Sequence, residues 1–493
     1  MKTKTREGGH RCPGILELLV LSVLLTACAG EDLDQAATDE ASIVIRNAHV
    51  VDVENGVLLE NHTVTIRDGR IARVEPDREV GDPPTGAMVI DATDRYLIPG
   101  LWDMHVHFRG GEELVEENRA LLPLYIANGV TTVRDAGGDI TEDILQWRLQ
   151  IDEGRQVGPR ILTSGPKLDG PTGGWDGSIR LSSPDEVPSA IDALEDMGVD
   201  YVKIYDGTLG GDVYLAILEE TERRGLVVTG HMPMTVGFRD AVSKGLDGTE
   251  HLYYAFKGSA ANEDSVTAAV LSRQGTSEAM GFRQTLNLLR AGFDDGTARE
   301  TYRLMAERGT VAIPTLHIGA VLAVVDSTDH SMDPELQYIH PNIEATYARR
   351  VEGARRASPE ARAERLDLQE VFIRMARQMH QSGVTLLAGS DAGPFNSFVY
   401  PGFSLHSELE WLVRVGLTPA EALRAATQLP AEFMRRGHEF GQVREGFRAD
   451  LVLLDANPLQ DIGNTRRIET VFVGGERVFQ RTDLDALLAA ARR

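Results

Sequence analysis

Between Leu101 and Ser390 the chain alternates short, almost wholly apolar runs with longer stretches whose apolar residues recur at helical spacing. This is the pattern of parallel strands buried on both faces and joined by amphipathic helices. It predicts eight strands: Leu101–His107, Thr131–Asp135, Arg160–Ser164, Tyr201–Tyr205, Leu226–Gly230, Gly248–His251, Val311–Leu316 and Thr385–Ser390. Gly129, Gly198, Gly225 and Gly383 stand where the preceding helices should end in left-handed caps. The recurrence favours an α/β fold of the (β/α)8 TIM-barrel kind over a doubly wound sheet. The connections after the sixth and seventh strands are long and should carry extra helices. Glu335–His380, dense in Arg and Glu, reads as one such insertion with its charges solvated.

Before and after the barrel the period changes to two. Ile43–Ile45, Val50–Val53, Thr63–Ile66 and Ile71–Val74 read as strands, with Asp68-Gly69 as a hairpin turn. Ala449–Leu454 and Thr470–Val473 answer them at the far end, so both chain ends should build one small β-sandwich. The expected organisation is a sandwich over 42–98 and 441–482, a barrel over 99–440, and a short tail from 483 to 493.

The first forty residues differ from the rest. Lys2, Lys4, Arg6 and Arg11 precede an apolar run from Ile15 to Ala27, too short for a membrane-spanning helix and suited to an export signal. The run closes Leu25-Thr26-Ala27-Cys28, which resembles the lipobox of bacterial lipoproteins, so residues 1–27 read as a signal peptide, Cys28 as a lipidation site and 28–41 as a flexible tether. That reading places the mature protein outside the cytoplasm, lipid-anchored and facing the periplasm or exterior. Loss of Cys12 with the leader leaves one cysteine and no intrachain disulfide.

Composition adds exclusions. A chain of 493 residues, 42% hydrophobic and 25% charged, suits a large globular enzyme, and a net charge of −25 argues against nucleic acid or anionic membrane as a partner. Oligomeric state is open, a homo-oligomer included.

Chemistry concentrates at the strand ends, which surround one mouth in such a barrel. His105 and His107 alternate along the first strand and so share a side. Lys203 lies near the end of the fourth strand, His231 ends the fifth, His251 the sixth and Asp391 the eighth. With this set the region from about 42 to 482 resembles the amidohydrolase superfamily, in the branch related to imidazolonepropionase and prolidase-like dipeptidases. The resemblance implies two divalent metals: one on His105, His107 and Asp391, the other on His231 and His251, with carboxylated Lys203 bridging them. Zinc is the first choice for such ligands, and manganese, iron, cobalt or nickel suit them too. A carbamate fits the physics, because a buried ammonium would repel both cations.

The implied reaction is metal-assisted hydrolysis of a C–N bond in an amide, cyclic amide or short peptide, with Asp391 moving the proton. Esters, lactones and phosphotriesters are alternative electrophiles for the same site, and a non-catalytic metal-binding scaffold is the alternative of another class. Trp175 in the glycine-rich loop after the third strand, with Tyr205, Tyr253, His317 and His406, are candidates to touch the substrate. Gly230-His231-Met232-Pro233 departs from the His-Ala-Tyr of the prolidase-like dipeptidases, so their substrate range does not carry over.

Overall fold

The computed structural model describes residues 43–483; the expected leader, Cys28, the tether and nearly all of the tail lie outside the described residues. Among the described residues no helix is long and apolar enough to cross a membrane.

Seven barrel strands form where the apolar runs placed them: Leu101–Val106, Val130–Asp135, Arg160–Thr163, Val202–Ile204, Val228–Gly230, Gly248–Glu250 and Val311–Ile313. The first three pair in parallel, as do the last four. Between the two groups, Asp200 N–H donates to Thr163 O at 2.8 Å. The eighth segment is too irregular for a continuous ladder, yet it bonds on both sides. Leu387 N–H donates to Ala312 O at 2.9 Å, while Met104 and His107 N–H donate to Ala388 O and Ala392 O at 3.0 and 2.9 Å. Backbone hydrogen bonds thus link each strand to the next around a (β/α)8 ring. The four cap glycines take φ of 68°, 68°, 68° and 84°, as a left-handed helix end requires.

The long connections do carry helices. Tyr253–Gly258, Glu263–Arg273, Phe282–Ala291 and Asp295–Arg308 follow the sixth strand; Leu316–Val324, Pro341–Arg355 and Pro359–Gln381 follow the seventh. The last two each begin with proline, which lacks the N–H that a first helical turn leaves unpaired. Ser358 caps the longer one by accepting from Ala361 N–H at 3.2 Å.

Both chain ends meet in one eight-stranded sheet. Ile43–Asp52 pairs with Val57–Arg67, Met88–Asp91 and Tyr96–Pro99; Leu451–Leu454 extends the sheet from Tyr96–Pro99, followed by Ile468–Val473 and Glu476–Gln480. Alternation buries both faces. Leu97, Leu451, Leu453 and Phe472 join Ile45, Val64 and Ile71 in a core of the sheet's own. Ile98, Val452, Leu454 and Val471 pack into the barrel's core. The edge strand curls back, Ile71 N–H donating to Phe447 O at 2.8 Å. The strands of this small β-sandwich are hydrogen-bonded into one continuous sheet curled around its core, a continuity that side-chain alternation cannot reveal because it specifies faces and not neighbours.

Candidate metal centre

The first strand delivers two imidazoles to the same point: the Nε2 atoms of His105 and His107 are 3.3 Å apart. Asp391 Oδ1 lies 3.6 Å from the first and 3.3 Å from the second, so three buried donor groups converge closely enough for one ion. His251 Nε2 stands 3.9 Å from Asp391 Oδ2, and its ring centroid is 5.3 Å from that of His231. The structure thus brings together His105, His107, Asp391, His251 and His231 from four strand ends.

All four histidines hold Nδ1 against an outer partner, and His105, His107 and His251 present Nε2 to Asp391. His105 Nδ1 is 2.6 Å from Glu250 Oε2, His107 Nδ1 is 3.1 Å from Gly137 O, His231 Nδ1 is 3.0 Å from Asp206 Oδ1, and His251 Nδ1 is 2.7 Å from Thr315 Oγ1. The first three partners are acceptors, so Nδ1 carries the proton and Nε2 keeps its lone pair free for a metal. Burial keeps His105, His107 and His251 below the usual imidazole range, in the neutral, ligating form.

The outer partners are themselves held. Glu250 also accepts from Arg134 Nη2 at 2.6 Å and Thr229 Oγ1 at 2.7 Å, while Asp206 accepts from Tyr254 OH at 2.6 Å. Burial works to raise the Glu250 and Asp391 carboxyls. Arg134 and Lys203 around the first, and the imidazoles facing the second, outweigh it and leave both well below the usual carboxylate range. Asn396 Nδ2 donates to Asp391 Oδ1 at 2.7 Å and fixes that carboxylate from the loop.

Lys203 completes the arrangement. Its Nζ is buried and, among the described residues, makes no hydrogen bond; it forms a long ion pair with Glu250 Oε1 at 3.6 Å. Burial lowers its pKa to about 8. A buried cation with unmet donors is costly, whereas an oxygen-bearing extension at Nζ would face the ligand cluster. On this count His105, His107 and Asp391 fit a metal ion, with His231 and His251 beside them.

Backbone strain aims these side chains. His251, Thr315 and Asp391, at the ends of the sixth, seventh and eighth strands, have φ of 59°, 48° and 59°. Such values are unfavourable for side chains other than glycine and cluster at functional sites. The turn at His251 lets two consecutive residues, Glu250 and His251, serve the same centre, although neighbours on a strand ordinarily point apart.

A cavity of about 810 Å³ opens over the centre, bounded by His231, His251 and Asp391 on its floor and by Tyr253, Phe282 and Phe372 among its walls. Tyr205 and Tyr253 line it, as the sequence suggested. Trp175 does not line it; its ring is packed beneath the Arg109 guanidinium, 4.6 Å from the centroid. His317 and His406 do not line it either. The His317 N–H is a helix-start donor to Glu408 Oε2 at 2.7 Å, and the buried His406 ring meets Thr465 Oγ1 at 2.9 Å, away from the cavity. Most charges of the insertion are exposed, as expected, but Arg350, with the uncharged Gln369 and Phe372, lines the cavity. Glu250, Asp206, Asn396 and Arg350 were missed by sequence reasoning. Asp206 alone had a legible signal, as an acid directly following the fourth strand.

Comparison with known proteins agrees with this geometry. The model of the amidohydrolase family matches residues 96–478. An ochratoxinase of Aspergillus niger is 24% identical over 87% of this chain and 84% of its own length. An adenine deaminase of Ruegeria sp. is 32% identical, but over 40% of this chain and 32% of its own length. Among solved structures, a bottromycin amidohydrolase superposes with a TM-score of 0.68 at 25% identity, covering 93% of this chain and 92% of that one. A Xaa-Pro dipeptidase with bound methionine superposes at 0.66 and 20% identity, covering 89% and 100%, and speaks for the fold alone.

Proposed function

The chain belongs to the amidohydrolase family and is a metal-dependent hydrolase of carbon–nitrogen bonds, and from that premise we propose that it cleaves an amide, cyclic or in a short peptide, at two divalent ions. His105, His107 and Asp391 would hold one ion, His231 and His251 the other, and carboxylated Lys203 both. The observation that carries this reading is the convergence of His105, His107 and Asp391 on one point, with the Nδ1 of all four histidines held from outside. Carboxylation requires only the neutral amine and carbon dioxide: Nζ bonds to the carbon, one C=O electron pair moves to oxygen, and an amine proton leaves. Zinc is favoured by the imidazole-rich set, with manganese, iron, cobalt and nickel as further candidates.

Bound ions at such a site supply an activated water and polarise a carbonyl. The chain's own residues do the rest. Asp391 is ionised and its Oδ1 is engaged by Asn396, which leaves Oδ2 to take the proton of the attacking water and return it to the leaving nitrogen. The aromatic walls offer apolar surface to seat the apolar part of the substrate. The name of the bottromycin amidohydrolase supports bonds of this kind.

The test is metal analysis of the purified chain together with a screen of dipeptides, N-acyl amino acids, cyclic amides and aryl esters. About two divalent ions per chain and chelator-sensitive amide hydrolysis are expected. Turnover confined to esters, or unaffected by complete metal removal, would overturn the reading.

We also propose, from Leu25-Thr26-Ala27-Cys28, that the enzyme is exported and lipid-anchored through Cys28. Fractionation after Cys28→Ser should find it released or unprocessed; unchanged membrane association would count against the anchor.

A further inference from the structure

The cavity contains one cation that nothing in the proposed chemistry uses. Arg350, on helix Pro341–Arg355, lines the same space as Asp391 and the two outer histidines. Among the described residues it has no carboxylate within ion-pair distance, and its hydrogen bond goes to a neutral acceptor, Asn396 Oδ1, at 2.6 Å.

That acceptor is shared between two cations. Arg109 Nη2 donates to the same Asn396 Oδ1 at 2.9 Å, and an amide oxygen has two lone pairs. Arg109 is otherwise committed: its Nε donates to Pro394 O at 2.9 Å and its guanidinium carbon lies 4.6 Å from the Trp175 ring centroid. Arg350 is not. A guanidinium carries five N–H groups in a rigid fork matched to a carboxylate, and one of them is used here. A partly desolvated arginine with spare donors in a largely apolar cavity is an anion receptor lacking its anion.

Position restricts the anion further. Arg350 reaches Asp391 through two hydrogen bonds, 2.6 Å to Asn396 Oδ1 and 2.7 Å from Asn396 Nδ2 to Asp391 Oδ1. A group held by Arg350 therefore lies in the same cavity as Asp391, at most two ~3.8 Å Cα spacings along that bonded path from its carboxylate. On its other side stands an aromatic wall, Tyr253 with Phe282 and Phe372 at ring-centroid distances of 5.5 and 5.0 Å. We propose that Arg350 is a specificity-determining residue that binds a carboxylate of the substrate, so that the enzyme acts on amides carrying a free carboxylate and a bulky apolar group close to the scissile bond. The proposal deepens the amide-hydrolase reading and rests on it for the word substrate.

The test is calorimetric binding of 3-phenylpropionate and 3-phenylpropanamide, which differ in the carboxylate alone, to the metal-loaded chain. The acid should bind at least about tenfold more tightly than the amide to the wild-type chain. In Arg350→Met that ratio should fall to about twofold or less, and Arg350→Lys, which keeps charge without the fork, should fall between. An acid preference that survives Arg350→Met would place the carboxylate on the metals or on another cation and overturn the proposal. So would an absence of preference in the wild-type chain. If the preference collapses as expected while no amide is hydrolysed by the wild type, the functional reading fails and the anion site stands. If Arg350→Met does not fold, the Arg350→Lys ratio decides: a value equal to the wild type's overturns the fork.

Discussion

Glu250 Oε2 stands 2.6 Å from His105 Nδ1, and the same carboxylate accepts from Arg134 at 2.6 Å through its other oxygen. The pair orients the ring and makes its Nε2 a better donor to a cation, as carboxylate partners of metal-binding histidines do. Glu250→Gln keeps the shape and removes the charge. We expect a loss of about 10- to 100-fold in metal affinity, with activity restored in part by excess metal. Metal content by mass spectrometry after dialysis, beside titration of activity with zinc, checks it; full occupancy in the variant would refute the orienting role.

Gly393 follows Asp391 closely and has φ of 143°. A Cβ built there would lie 2.2 Å from His107 O, so Gly393→Ala must displace backbone between two metal-ligating residues. Destabilisation above about 2 kcal/mol and a lower metal content are expected. Gly81→Ala, where a Cβ meets nothing within 4 Å, serves as the control and should stay within about 0.5 kcal/mol. Denaturant midpoints of the two variants provide the comparison.

His406 gives a pH dependence with a definite sign. Thr465 Oγ1 donates to Ile462 O and so accepts from His406 Nδ1, while His406 Nε2 is buried without a partner. Burial, with Arg466 nearby, lowers the ring's pKa from 6.5 to about 3. Between those values the unfolded chain takes up a proton that the folded chain refuses. Stability from this group is complete above pH 6.5 and declines on acidification by roughly 1.4 kcal/mol per pH unit until pH 3. His406→Gln should flatten that part of the stability profile relative to the parent; parallel profiles from pH 6 to 4 would show that the ring is not buried neutral.

The legible parts of the site were those that follow from one-dimensional rules. Alternation puts His105 and His107 together, and a barrel gathers His231, His251 and Asp391 at its mouth. Glu250 was hidden because the residue before a strand-end histidine should face away, and only the left-handed φ of 59° at His251 turns both inward. Arg350 was hidden for another reason: in a charge-rich helix no pattern tells which charge meets a cavity that a distant loop completes. The error at His406 was the converse. Its place shortly after the eighth strand suggested the mouth, yet it sits on a buried face of helix Phe403–Arg414. The fold was legible in the same measure, with strand positions recovered and the wrapping of the terminal sheet missed.

Lys203 separates a bridging ligand from an ordinary buried lysine. With its Nζ making no hydrogen bond among the described residues and 3.6 Å from Glu250, a charged lysine would contribute little hydrogen bonding, so truncation of an unmodified side chain should spare the metals. Truncation of a carbamate would instead remove the two oxygens that join them. Lys203→Ala is therefore expected to lose bound metal and activity together. Short-chain acids such as formate, acetate or propionate can enter the space it vacates and supply two oxygens again, which should restore part of both. Asp391→Ala should show no such recovery of turnover, because a freely diffusing acid would have to replace a ligand and also move a proton within a fixed geometry. Carbon-13 bicarbonate offers a measurement independent of activity: a carbamate resonance in the wild type that is missing in Lys203→Ala. If Lys203→Ala keeps two metals and near-normal turnover, the bridge is wrong, and a single ion on His105, His107, His231 and Asp391 becomes the better description of this centre.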